Sequence, residues 1–498
     1  MNVNPITRLD YPDPDVIRVE DTYYMVSTTM HFMPGCEILQ SFDLVHWEHV
    51  TYVYETLDHT DAQQLKSGQN IYGQGMWAAS LRYHEGRFCI CFVANDTRKT
   101  YLYTSEKIDG PWKKQLIEGF YHDASLLFDE DGRNYIVYGN DEIWITELNE
   151  DLTAPKKDGL HRLLVSDHKN PELGYEGSHI QKINGYYYIF LIHSLRDRWM
   201  RTEACFYSDS LEGEFTGGDV LCDDRGYCGQ GVAQGGIVDT PDGKWYAMLF
   251  QDSGAVGRIP ILLPVTWKDH FPFFGQNGHV PEEIEVHSTR PGYIYQPLVG
   301  SDDFCNGLLP RWQFNHDPDP RYYHLDALQG TYTITTREVC TELTQAVNTL
   351  TQRMSYPSCA AEVTVDASAL KEGDVAGLCA LQSCYAAVGI TKHHGKYEVL
   401  MLDKKEDGIL DMTEGTVVES HQMDFRLEAD FCNMKDEARC YYRVNKGDWL
   451  PIGTVHKLYF KLDHFTGCRF GLFCYAAEET GGSACFRDFK YYDVDEIS

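Results

Sequence analysis

Hydrophobic and polar positions fall into two patterns along the chain. In the first part, a turn of acidic residues or glycine is followed each time by an aromatic-rich apolar run. The copies read Glu20-Asp21-Thr22-Tyr23-Tyr24-Met25-Val26, Glu85-Gly86-Arg87-Phe88-Cys89-Ile90-Cys91-Phe92, Asp131-Gly132-Arg133-Asn134-Tyr135-Ile136-Val137-Tyr138, Asn184-Gly185-Tyr186-Tyr187-Tyr188-Ile189-Phe190 and Asp242-Gly243-Lys244-Trp245-Tyr246-Ala247-Met248. Each predicts a hairpin turn followed by a buried strand. Some copies are followed by a second element, a serine leading to a tryptophan, as in Ser41-Phe42-Asp43-Leu44-Val45-His46-Trp47 and from Ser105 to Trp112. A repeat of roughly 45–65 residues with several strands per unit is the mark of a β-propeller, whose blades bury their faces only against their neighbours. Five copies predict a five-bladed propeller over residues 1–290.

From Val280 to Ser301 the pattern loosens around Pro281, Pro291 and Pro297, which predicts a connector. Beyond it the period changes. Ala361-Glu362-Val363-Thr364-Val365-Asp366 and Phe425-Arg426-Leu427-Glu428-Ala429-Asp430-Phe431 alternate strictly between apolar and polar side chains, the pattern of antiparallel sheets with one buried face. With turns at Asn445-Lys446-Gly447-Asp448 and His394-Gly395-Lys396, residues 302–498 predict a β-sandwich. The fold class is therefore all-β, a five-bladed propeller followed by a sandwich.

The 13% aromatic content, including 33 Tyr and 9 Trp, suits strands and also suits stacking on sugars. A formal charge of −32 argues against nucleic acid, whose phosphates require a basic stripe. The 16 cysteines are scattered without a Cys-x-x-Cys pair, so buried, reduced thiols are expected instead of disulfides or a zinc ribbon. Neither a signal-peptide pattern nor an apolar run long enough to span a membrane is visible, which predicts a soluble, cytoplasmic protein without a membrane partner. The number of subunits is not legible.

Three carboxylates stand in unusual company. Asp13 lies in Tyr11-Pro12-Asp13-Pro14-Asp15-Val16-Ile17, where pre-proline crowding favours extended backbone at both Tyr11 and Asp13 and stiffens the segment. Asp123 opens the third repeat in Tyr121-His122-Asp123-Ala124-Ser125-Leu126-Leu127-Phe128. Glu176 opens the fourth between two glycines in Gly174-Tyr175-Glu176-Gly177-Ser178-His179-Ile180. In a propeller the blade edges converge on the axis, so these distant residues can meet. Surface charge is the plain alternative for each of them taken singly.

The Pro-Asp-Pro opening, Gly75-Met76-Trp77-Ala78, His122-Asp123-Ala124-Ser125 and Glu176-Gly177-Ser178-His179 together resemble glycoside hydrolase family 43, five-bladed propellers acting on arabinose- and xylose-containing glycans. The trailing domain resembles the sandwich of the two-domain β-xylosidase and α-L-arabinofuranosidase members. The resemblance implies that Asp13 is a general base, Glu176 a general acid, and Asp123 the group that tunes the acid and orients the sugar. Inverting hydrolysis needs such a pair on opposite sides of the ring, with room for a water. It also implies that Trp77 lines the sugar pocket, Arg258 bonds substrate hydroxyls, and Met30, His31 and Met33 form another wall. From the second domain, Asp463-His464-Phe465-Thr466-Gly467, placed between predicted strands Leu458–Leu462 and Arg469–Tyr475, is expected to bring an exposed Phe465 or His464 to the entrance near Trp77.

One departure concerns Gly229-Gln230-Gly231-Val232-Ala233-Gln234-Gly235-Gly236, where Gln234 replaces the axial histidine of many members. No cofactor is required for the chemistry, and the carboxamide of Gln234 can face a structural calcium on the axis or an ordered water. The stretch is no nucleotide loop, because a hairpin signature and Trp245 follow it instead of a helix. The expected activity is exo-acting, inverting release of arabinose from arabinoxylan-derived oligosaccharides by an α-L-arabinofuranosidase. The alternatives are a β-D-xylosidase acting on xylooligosaccharides and, from another class, a propeller that binds glycans without cutting them.

Overall fold

The computed structural model describes residues 2–493, and among them no α-helix occurs. Five four-stranded antiparallel sheets stand in chain order around a common axis. Every repeat signature proves to be the hairpin between the first and second strands of a blade: the second strands are Thr22–Val26, Arg87–Ala94, Asn134–Asn140, Tyr186–Ser194 and Trp245–Asp252. The serine-to-tryptophan elements join third strands to fourth ones, as where Gly35–Ser41 leads past Trp47 to Glu48–Tyr54.

Apolar side chains from neighbouring blades fill the gaps between sheets. Ile38 packs with Ile90 and Phe92 between blades one and two, and Tyr135 and Val137 pack with Ile189 between blades three and four. These residues are almost wholly buried, and each large apolar side chain so removed from water contributes about 1.5–3 kcal/mol. The ring closes between blades five and one. Asn2–Val3 pairs with Glu283–Ile284, so part of the expected connector is a clasp strand. The buried Asn4 amide reinforces the clasp, donating to Leu262 O at 2.7 Å while its Oδ1 accepts from Leu262 N at 3.0 Å.

The second domain is a sandwich of a seven-stranded and a nine-stranded sheet. The two alternating segments lie in Ser358–Asp366 and Gln422–Asp430 and pair with each other, Val363 opposite Phe425 and Ala361 opposite Leu427. Their apolar faces, with Phe431, form the core between the sheets. One strand of the larger sheet comes from the propeller: Phe32–Met33 pairs with Gln313–Asn315. The domains are thus sewn together by main-chain hydrogen bonds. Among the described residues no disulfide is present, and ten of the cysteines that the composition predicted to be reduced are buried. Among the described residues no helix is long and apolar enough to cross a membrane.

Candidate active site

The first strand of each blade lines the axis, and the singled-out carboxylates gather where these strands begin. Asp13 precedes Asp15–Val19, Trp77 is the second residue of Met76–His84, Asp123 precedes Ser125–Phe128, Glu176 begins Glu176–Ile183, and Gln234 lies early in Val232–Asp239. Pairing slips near the start of three of these strands, between Met76 and Ala79, Glu176 and His179, and Ala233 and Gly236. Such bulges re-aim side chains, here into the channel.

Asp13 is buried, and its φ is 53°, in the left-handed region and not the extended one that pre-proline crowding favours. The surroundings override the local preference. Thr28 Oγ1 donates to Asp13 Oδ2, and Arg258 Nη1 donates to Oδ1 at 3.1 Å. Asp123 (φ 47°), Met30 (53°), Gln234 (60°) and Phe465 (55°) are left-handed as well.

Across the channel, Asn140 Nδ2 donates to Glu176 Oε2 at 2.6 Å, and His122 Nε2 lies 3.4 Å from that oxygen and 3.6 Å from Asp123 Oδ2. Burial pushes the Asp123 carboxyl up to about 6, with the charges of Glu176 and Asp13 adding to the rise and those of His122 and Arg258 opposing it. Burial alone would lower His122, but Asp123, the hydrogen bond and charge of Glu176, and Asp13 outweigh it and carry it up to about 9. Ligand atoms of His122, Asp123 and Glu176 all lie within 4.8 Å of one another. The ion pair and hydrogen bond among them account for that grouping without a metal.

Trp77 is half-buried, its ring 6.0 Å from that of His122 and 5.6 Å from that of Phe465. Phe465 does arrive from the sandwich: its ring lies 4.2 Å from the Arg258 guanidinium, and its carbonyl accepts from Arg258 Nη2 at 3.4 Å. Two details of its expected setting are corrected. The preceding strand is Leu450–Lys457, so 458–462 is irregular, and Phe465 is half-buried because Trp77 and Arg258 cover it. His464 is turned away from the entrance and stacks on Tyr72 at 3.9 Å.

Met30 and His31, expected in the pocket wall, are closed off from solvent, and so is Met33. Met30 exchanges backbone hydrogen bonds with Met76 at 3.0 Å and so carries the strand that presents Trp77. His31 packs against Phe32, Tyr72 and His316 in the joint between domains. They stand behind the wall because the sandwich covers the loop that bears them.

Gln234 packs against Gly177, where a Cβ would meet its Cδ at 2.7 Å, and its backbone N donates to the buried Glu203. The axial cavity bordered by Gln234, Asp123, His179 and Ser80 has a volume of about 10 Å³. That is about the room of one water.

Three features were missed in the sequence. Beneath the carboxylates, Arg82 Nη1 donates to Asp15 Oδ2 at 2.7 Å, His179 Nδ1 lies 3.1 Å from Asp15 Oδ1, and Arg82 Nη2 donates to Ser125 Oγ at 2.6 Å. Burial favours protonation of Asp15, but Arg82 and His179 outweigh it and hold its pKa low. The recurring Ala79-Ser80-Leu81 and Ala124-Ser125-Leu126 were the available signal. A second cation, Arg201, is held by Asp252 at 2.6 Å and shares the Phe250 ring with Arg258; nothing in its local sequence marks it. The third is Asp10, described below.

Two carboxylates from blades that are not neighbours, a third beside one of them and aromatic rings at the mouth define a carbohydrate-cleaving propeller. The comparisons agree. The family model for glycosyl hydrolases family 43 matches residues 3–272, and that for the β-xylosidase C-terminal concanavalin A-like domain matches 301–492. The chain belongs to glycosyl hydrolases family 43 and is a glycosidase with a carbohydrate substrate. It is 26% identical to a β-xylosidase of Formosa agariphila over 99% of this chain and 89% of that one. It is 24% identical to a non-reducing end α-L-arabinofuranosidase of Bacteroides ovatus over 82% and 79%. Among solved structures, a bifunctional GH43-CE protein of Bacteroides eggerthii matches with 42% identity and a TM-score of 0.93; it covers all of this chain, which spans 64% of its length. A GH43 enzyme engineered for endo-xylanase and exo-arabinofuranosidase activity matches with 27% identity and a TM-score of 0.88, over 99% of each chain.

Proposed function

We propose that the protein is an inverting exo-glycosidase that releases terminal α-L-arabinofuranose from arabinoxylan-derived oligosaccharides. The observation that carries exo action is the Phe465 ring set against Trp77 and Arg258, a wall from the second domain that narrows the propeller mouth to a pocket. Asp13 on blade one takes the proton of the attacking water, and Thr28 and Arg258 aim its carboxylate. Glu176 on blade four protonates the departing oxygen, its Oε2 steadied by Asn140. Asp123, paired with His122, orients the sugar and adds negative charge beside the acid. Support for inversion comes from the placement of Asp13 and Glu176 on non-adjacent blades, since inverting hydrolysis needs two opposed carboxyl groups with a water between them. Support for arabinose comes from the exo-arabinofuranosidase activity named for the engineered enzyme of like structure.

The name of the Formosa agariphila relative favours a second reading, β-D-xylosidase. The two p-nitrophenyl glycosides distinguish them: a higher kcat/KM on the α-L-arabinofuranoside is expected, and the reverse order selects the xylosidase. Proton NMR in the first minutes should show the inverted anomer of the released sugar. A retained anomer overturns the assignment of Asp13 and Glu176 together.

A further inference from the structure

We infer that Asp10, three residues before Asp13, is a positioning residue that locks the sandwich loop onto the sugar pocket. The inference rests on the pocket described under the proposed function. Asp10 is 5% exposed, and its carboxylate is divided between the two domains. Oδ1 accepts from Arg258 N at 2.8 Å, on blade five. Oδ2 accepts from Gly467 N, also at 2.8 Å, two residues after Phe465. Its carbonyl accepts from Arg353 Nε at 2.9 Å, and Arg353 in turn pairs with the buried Glu37 at 2.9 Å.

The space around this carboxylate admits no looser arrangement. A Cβ on Gly257 would lie 2.3 Å from Asp10 Oδ1, and one on Gly467 would lie 2.2 Å from Val256 O and 2.8 Å from Asp10 Cβ. The two backbones also meet directly, Cys468 N donating to Ala255 O at 2.8 Å. One anion therefore sets the distance between the Arg258 backbone and the Phe465 loop. Arg258 reaches from there to Asp13, and Phe465 covers its guanidinium. Hydrogen bonds to an ionised acceptor are the stronger kind, and only a carboxylate accepts from two N–H groups facing its two oxygens. An asparagine would turn an NH₂ toward one of these donors and leave it unpaired.

Asp10→Asn is expected to raise KM about 10-fold while kcat changes less than about 3-fold, since the loop that shapes the pocket shifts and the carboxylates stay. Phe465→Ala should give a similar rise, and the double variant should be no worse than the poorer single one, because Asp10 acts through Phe465. Additive losses overturn the inference, as does an unchanged KM in Asp10→Asn. Hydrogen exchange supplies the second readout and does not depend on the substrate. The backbone of 463–468 should exchange faster in Asp10→Asn while the inner blade strands keep their protection, and unchanged exchange in 463–468 overturns the clamp. Should Asp10→Asn not fold, Gly467→Ala attacks the same contact from the sandwich side and is expected to give the same KM and exchange changes. A wild-type enzyme that cleaved neither aryl glycoside would remove the proposed function, and the exchange result would still decide the clamp.

Discussion

A buried carboxylate beside other acids resists losing its proton, and a buried histidine keeps one only if anions surround it. Asp123 and His122 show both effects in a single contact, with pKa values pushed up to about 6 and about 9. Between those values Asp123 is ionised and His122 charged, and the pair sits against Glu176. The kcat/KM profile of the wild type should therefore fall below about pH 6, where Asp123 takes up its proton, and fall again on the alkaline side where the acid and its histidine neighbour lose theirs. Asp123→Asn should move the alkaline limb to lower pH, because His122 loses one of the anions that retain its proton. An alkaline limb unmoved in Asp123→Asn would sever the link between the two groups.

At the scale of the element, the inner strands deliver side chains through bulges and glycines placed ahead of them. Gly75 illustrates the demand. Its φ is +81°, and a Cβ there would lie 2.3 Å from Met30 O, one of the atoms that bridges Met30 to Met76. Alanine would meet both the left-handed backbone and the collision. Gly75→Ala should cost about 1–3 kcal/mol of stability and raise KM, since Trp77 follows directly on the disturbed bridge. Chemical denaturation and steady-state kinetics check the two effects. Wild-type stability would show that this corner yields where the structure has it rigid.

The whole molecule carries a further pH response in the joint between domains. His31, His316 and His464 meet Tyr72 there, and burial lowers the pKa of all three, that of His464 to about 3. The unfolded chain binds protons on these rings below about 6.5, while the folded one does not. Folding stability should thus be level in this respect above about pH 6.5 and fall as pH drops below it, by about 1.4 kcal/mol per pH unit for each histidine. His464→Gln should flatten the decline of Tm between pH 6.5 and 5, a range chosen above the titration of ordinary carboxylates. Parallel Tm curves for the two proteins would mean that His464 takes up protons freely in the folded state.

Both architectures were legible in the sequence because each rests on local periodicity. Five hairpin signatures mark five blades, and strict alternation in Ala361–Asp366 and Phe425–Phe431 marks strands that share one core face. That Asp13, Asp123 and Glu176 would meet at the starts of inner strands was legible because their flanking prolines, glycines and serines belong to recognisable local motifs. What the sequence could not reveal depends on contacts between residues hundreds of positions apart. Asp13 adopts a left-handed backbone against its pre-proline preference because Thr28 and Arg258 hold its carboxylate. Met30 and His31 lie behind the pocket wall because Phe32–Met33 joins a sheet of the other domain. Asp10 bonds both Arg258 and Gly467, a partnership across 457 positions to the latter, for which no local pattern exists. Periodicity is a property of the chain and survives without the fold, whereas burial, strain and the pairing of distant charges come into being only when the two domains close on one another.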